Sequence, residues 1–288
     1  MKAKIYICFT WVCLAVCVAC HSGSENDGTE EGQTREVSFA VSRSDDLFAR
    51  SVSSGFEVGD SIGIYAVKRD VSGEIGIPGK TGNQAHNAKW IKTLEGWTPA
   101  SLKDKIVYPQ DGAELDFYAY YPYDRNATAP DEISMAVQTE QGTEENLKKS
   151  DWMRASNTEG ISEGEVELKF QHVLSCAEVQ VQTGGVAPDA GLEVHVTGVN
   201  TVCTYNLGAG TFLGESEVGT IVMQRLDAPG ESGSLTFKAL LPAQAIAAET
   251  PLFRCLQNGK IYIYRSEGIE FTEGNRTRFI FTLKGGGE

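Results

Sequence analysis

Residues that do chemistry are scarce in this chain of 288 residues. It has four histidines, and none falls in a ligand pattern. His21 and His86 sit in polar stretches, His172 shares an apolar face with Phe170 and Leu174, and His195 alternates onto a polar face with Glu193 and Thr197. His172 and His195 read as facing opposite ways, which leaves no shared metal site. There is no GxSxG elbow and no phosphate-cradling GxxxxGKS/T loop, and the GAGTFLG run at 208–214 misses the dinucleotide spacing. No CxxC occurs. Four of the seven cysteines crowd into the first 20 residues, and Cys176, Cys203 and Cys255 are widely spaced and odd in number. They form no disulfide framework and read as small apolar strand residues, with at most one pair. Basic charge is also short, with 25 Lys and Arg against 39 Asp and Glu for a net −14. That sign, with no basic stripe among aromatics, removes nucleic acid as a partner. No 12-residue segment keeps a helical period. The sequence offers no catalytic residue, no metal set and no cofactor site, so the expectation is a protein that is not an enzyme.

What the chain does have begins at its first residues. Lys2 and Lys4 precede an uncharged run from Ile5 to Ala19, the length of a signal-peptide core and short of the ~20 residues a membrane span needs. Cys17-Val18-Ala19 before Cys20 resembles a bacterial lipobox, in which the thiol is lipidated and residues 1–19 are cut away. The expectation is a water-soluble body held to a membrane by acyl chains on Cys20, each buried methylene contributing ~0.8 kcal/mol. Without residues 1–19 the chain has 23 basic and 39 acidic side chains, or −16. Residues 21–36 carry five acids against Arg35 and no apolar side chain larger than a methyl, so with Cys20 they read as an acidic flexible tether, 20–36. Acids so soon after the lipid cysteine resemble the export signal of outer-surface lipoproteins, which places the protein at the outer membrane and cell surface.

The body reads as all-β. Val37, Phe39 and Val41 alternate with polar neighbours, the period of a half-buried strand. Segments 60–67 and 115–123 continue the series, the latter ended by Pro122, with a long loop at 69–88 between them. Trp90-Ile91 and Trp97 bracket a hairpin at Gly96, 124–165 is less regular, with room for a helix-containing crossover in 124–160, and 151–156 is too short to assign. In 166–182 the apolar register moves by one residue, the mark of a β-bulge. Strands follow at 192–199, 201–207, 220–226, 234–243, 252–265 and 278–284, with Asn258-Gly259 as a hairpin turn. Two tandem β-sandwiches, 37–160 and 161–288, fit this pattern.

Several ordered patterns resemble one family: Phe56-Glu57-Val58-Gly59-Asp60-Ser61-Ile62-Gly63-Ile64-Tyr65, Tyr108-Pro109, Phe117-Tyr118-Ala119-Tyr120-Tyr121-Pro122-Tyr123, Ser150-Asp151-Trp152-Met153, Leu168 to Ser175, Leu241-Pro242-Ala243-Gln244 and Phe271-Thr272-Glu273-Gly274 followed by Phe279 to Leu283. In combination with the lipoprotein start they resemble the fimbrillin family, the Mfa-like type V pilins. The resemblance implies two transthyretin-like sandwiches, export as a lipoprotein, and assembly with other fimbrial subunits into surface fimbriae by strand exchange. It also implies trimming after an arginine, which removes the lipid with the first strand. Here the exchanged strand is Val37, Phe39 and Val41, and the candidate cuts are Arg50, then Arg43. A cut at Arg35 removes the tether alone. The last strand, with Phe279, Phe281 and Leu283, can donate to a neighbour or close its own domain. Two other readings stand beside this one. An uncut protein is an anchor or accessory subunit. A platform of Trp90, Trp97, Tyr118 and Tyr120 would make a lipid-anchored glycan-binding protein with a host or bacterial surface ligand.

Overall fold

Apolar side chains at every second position make strands of nearly every segment. The computed structural model describes residues 35–44, 55–182, 191–226 and 234–283. The first half carries β1 (Ser38–Arg43), β2 (Ser61–Lys68), β3 (Ala85–Lys92), β4 (Trp97–Pro99), β5 (Leu115–Tyr121), β6 (Ile133–Ala136), α1 (Glu144–Lys149), β7 (Met153–Ile161) and β8 (Glu165–His172). The second half carries β9 (Ser175–Gln182), β10 (Glu193–Asn206), β11 (Thr211–Val222), β12 (Gln224–Arg225), β13 (Ser234–Leu241), β14 (Gln244–Ile246), β15 (Pro251–Gln257), β16 (Lys260–Arg265), β17 (Ile269–Phe271) and β18 (Arg276–Thr282). The fold is all-β. Within the less regular stretch, α1 forms where the Thr143 side chain accepts from the Asn146 N–H and two glutamates occupy the first turn.

The first sheet has seven strands in the order β1-β8-β7-β5-β2-β3-β4. It curls until β1 lies near β4, and Val37 N–H donates to Ile106 O while Tyr108 N–H donates to Arg35 O, both at 2.9 Å. The inward side chains, among them Phe39, Ile64, Trp90, Phe117, Leu168 and Phe170, close on one core. The central strands β2 and β5 are buried on both faces, because Tyr65, Val67, Tyr118 and Tyr120 point the other way into a second core with Leu147 and Trp152. That two-sided burial explains their nearly unbroken apolar runs. The long loop after β2 is pinned from below. Asp116 is fully buried, accepts from Arg69 Nε and Nη2 and from Gly76 N–H, and Tyr118 donates to Gly76 O.

The second half forms a sheet β11-β10-β15-β16, to which β6 adds along β10, and a sheet β12-β13-β9-β18, with β14 and β17 as a separate ribbon. Both sheets send side chains into the second core, Val196 and Phe253 from one and Val179 and Phe279 from the other.

Two expectations need correction, and one unassigned stretch is placed. The register shift within 166–182 is a change of sheet, not a bulge: β8 pairs with β1 and β7, Val173 and Leu174 cross over, and β9 pairs with β13 and β18. Segments 192–199 and 201–207 are one long strand, β10, whose register slips between Thr197 and Val199 around Gly198 at φ 67°. Residues 153–156 open the nine-residue β7. The sheets are also interlaced, since β8 lies past residue 160 yet belongs to the first sheet, while β6 lies before it and joins the second.

Candidate functional site

A strand that begins a domain is held by its neighbours rather than by a hairpin. β1 pairs with β8 in parallel at all six positions, from Ser38↔Glu165 to Arg43↔Phe170. Parallel partners are never joined by a tight turn, so β1 is tied laterally by its ladder and side chains. Val37 and Phe39 are buried and Val41 half-buried, all against the first core. Phe39 meets Trp90 edge-on at 4.7 Å and Phe117 at 5.5 Å, which puts it in the middle of that core. β8 leans on β1 in return. Its ladder to β7 is confined to Met153↔His172 and Arg154↔Gln171, and beyond them Asn157 Nδ2 donates across to Glu167 O at 3.2 Å. A cleft of about 490 Å³ opens there, lined by Ser156, Glu159, Glu165, Glu167 and Lys169 among others.

The far end of β1 carries charge into the interior. The Arg43 side chain is 9% exposed and reaches Asp151, 6% exposed, at 3.5 Å. His172 Nδ1 lies 2.6 Å from the other Asp151 oxygen, and the Phe56 ring centroid is 5.8 Å from the Arg43 guanidinium carbon. Phe56 in turn packs edge-on against Trp97, Tyr121 and Phe170. Ser44 N–H and Oγ both bond Phe170 O, and an adjoining cleft of about 430 Å³ is lined by Ser44, Arg154, Gln171, His172, Glu273 and Gly274. His172 is buried as its apolar neighbours suggest, and its Nδ1 is paired with a carboxylate. Sequence reasoning missed this grouping. The one available signal was a lone Asp-Trp pair before a strand.

The last strand mirrors the first. β18 pairs in parallel with β9 from Arg276↔Cys176 to Thr282↔Gln182, and Leu283 N–H continues to Gln182 O at 2.8 Å. Phe279 and Leu283 are buried and Phe281 half-buried. Phe279 meets Phe253 at 4.7 Å, and Phe281 stacks on Tyr264 at 4.6 Å. Here β18 closes its own sandwich. Arg276 Nη1 and Arg278 Nε both bond the buried Glu178, at 3.2 and 2.7 Å.

The other candidates are placed as follows. Arg35 is largely exposed, with Nη2 on Pro109 O at 3.3 Å and Nη1 3.8 Å from Glu163. Cys20 and Arg50 lie outside the described residues. The proposed sugar platform is not one: Trp90, Tyr118 and Tyr120 are buried and Trp97 packs half-buried on the first core. Cys176, Cys203 and Cys255 are buried free thiols, and burial pushes those of Cys176 and Cys255 up to about 12. Among the described residues no three His, Cys, Asp or Glu side chains are grouped to hold a metal.

A family model described as fimbrillin-like matches residues 49–288. A candidate fimbrium subunit of Bacteroides uniformis, Fim1C, is 27% identical over 220 residues, covering 73% of this chain and 67% of that protein. Among solved structures, a candidate cell adhesion protein from Bacteroides uniformis shares the fold at 20% identity with a TM-score of 0.61, covering 88% of this chain and 93% of its own. Another from Bacteroides ovatus does so at 15% identity and 0.62, covering 87% and 92%.

Proposed function

Since the chain belongs to the fimbrillin-like family, we propose that it is a structural subunit of cell-surface fimbriae, exported as a lipoprotein through Cys20 to the outer membrane and assembled by exchange of β1. The observation that carries this is β1 itself, a parallel-paired terminal strand that nonetheless supplies Phe39 to the centre of a core. Its departure exposes one edge of β8 and a row of apolar sockets, the two features that strand addition needs. The cut is at Arg50. The Arg43 side chain, 9% exposed, is engaged with Asp151 and so is shielded from a protease while β1 is docked, and Arg35 precedes the strand and would leave its place filled. The two sandwiches then play different parts, the one built on the sheet of β1 and β8 accepting a strand and the other offering β18 through Phe279, Phe281 and Leu283.

The test cuts the full chain between residues 44 and 51 and follows its size. Growth into polymers that survive detergent is the expected result. A cut protein that stays monomeric at high concentration rejects the reading in favour of an anchor or accessory subunit.

A further inference from the structure

The place of β1 has a charged end as well as apolar sockets. Val37, Phe39 and Val41 face the first core at alternate positions. Two residues on, Arg43 sits against a carboxylate that is itself nearly inaccessible, with an aromatic ring on another side. The carboxylate is fixed independently of β1, because His172 at the end of β8 holds its other oxygen at 2.6 Å. Desolvation holds the ammonium of Lys238 of β13, also buried, below the usual lysine range, and the nearby charge of Asp151 works in the opposite direction. When β1 leaves, Asp151 and Phe56 remain as a site shaped for a cation, and a buried carboxylate that loses its cation is strongly destabilising.

Resting on the strand-exchange reading above, we propose that the vacated place selects its occupant by charge: a strand parallel to β8 with three alternating apolar side chains followed, two residues later, by an arginine or lysine that docks between Asp151 and Phe56. Alternating apolar residues are common in β proteins, so the cation is what confers selection. The chain's own β18 lacks it in this frame. Two residues after Phe279, Phe281 and Leu283 comes Gly285, and Lys284 falls one position short, on the opposite face. The preferred occupant is therefore a different subunit whose strand ends in a cation, and a second copy of this chain, entering by β18, fills the place at high concentration but with a shorter residence.

Labelled peptides test this on the full chain, with a site-specific protease sequence inserted between Arg50 and Ser51 and cut. The panel is residues 35–44, the same peptide with Arg43→Lys, with Arg43→Met, and residues 277–286. The arginine and lysine peptides should displace the cut strand and dissociate slowly. The methionine and 277–286 peptides should dissociate about tenfold faster or more, and Asp151→Asn in the protein should erase that difference. If the Asp151→Asn protein does not fold, the peptide series on the unsubstituted protein decides alone. Equal residence of the arginine and methionine peptides overturns charge selection while leaving strand exchange intact. No displacement by any peptide rejects the exchange reading and this proposal with it.

Discussion

The first and last strands of the protein are built alike and held differently. Each pairs in parallel at the border of its sheet, on the two halves of the continuous path through β8 and β9. β1 lies inside a curled sheet, centred on Phe39 and ending in an ion pair that is under 10% exposed on both sides. β18 lies at an open border, with Ile280 59% exposed, Phe281 half-buried and Arg278 57% exposed where it meets Glu178. The same ladder thus encloses one strand and leaves the other partly open. A strand buried this way leaves a well-defined place when it goes, whereas one at an open border can go with less disturbance.

The widest separation should come from the aromatic anchors. Phe39→Ala should cost about 3–5 kcal/mol, as for any large side chain removed from a packed core. Phe281→Ala should cost about half that, because its ring is only half-buried; urea denaturation of both variants measures the gap. The ion pairs should separate next. Arg43→Met takes the guanidinium from a buried Asp151 that keeps His172 on its other oxygen, and should cost about 3 kcal/mol, while Arg278→Met should cost under about 1 kcal/mol, since the guanidinium is more than half exposed and Arg276 still holds Glu178. Equal losses at the two arginines would erase the contrast. A smaller effect belongs to the β15–β16 turn, where Gly259 has φ 73°; Gly259→Ala should lower stability by about 1 kcal/mol without affecting β1.

The smallest effect is in pH. Burial moves the Cys176 and Cys255 thiols from 9.0 up to about 12. Folding therefore favours the protonated thiols, and their stabilisation is whole below pH 9 and lost as pH rises toward 12. The buried hydroxyls of Tyr120 and Tyr121 are displaced upward by the same desolvation and act in the same direction. The melting temperature should fall between pH 9 and 11, and iodoacetamide should label Cys176 and Cys255 only when the protein unfolds. Rapid labelling at pH 8 in the folded state would contradict their burial.

What the sequence disclosed was local. Asn258 and Gly259 both take positive φ, as a two-residue hairpin turn requires, and Trp90 and Trp97 do flank the β3–β4 turn. The alternation of Val37, Phe39 and Val41 announced β1, but not that its partner would be parallel and over 120 residues away. Long-range choices escaped for a physical reason. A one-residue shift of apolar register arises equally from a bulge and from a strand leaving one sheet for another, so the crossover at Val173-Leu174 was read as the former. In β10 the reverse happened: the sequence reading breaks the strand at Asn200, whereas the chain runs on there and its irregularity lies at Gly198. The Arg43–Asp151–His172 group was invisible because Arg43 is 108 residues from Asp151, and the patterns that contain Asp151 and His172 carry no mark of a shared ion pair.

The first residue of the assembled subunit bears most directly on the account. Amino-terminal sequencing and intact mass of fimbriae recovered from cells should give a chain that starts at Ser51 and lacks Val37 to Val41. A chain that starts at lipidated Cys20, with β1 still present in the polymer, would contradict it.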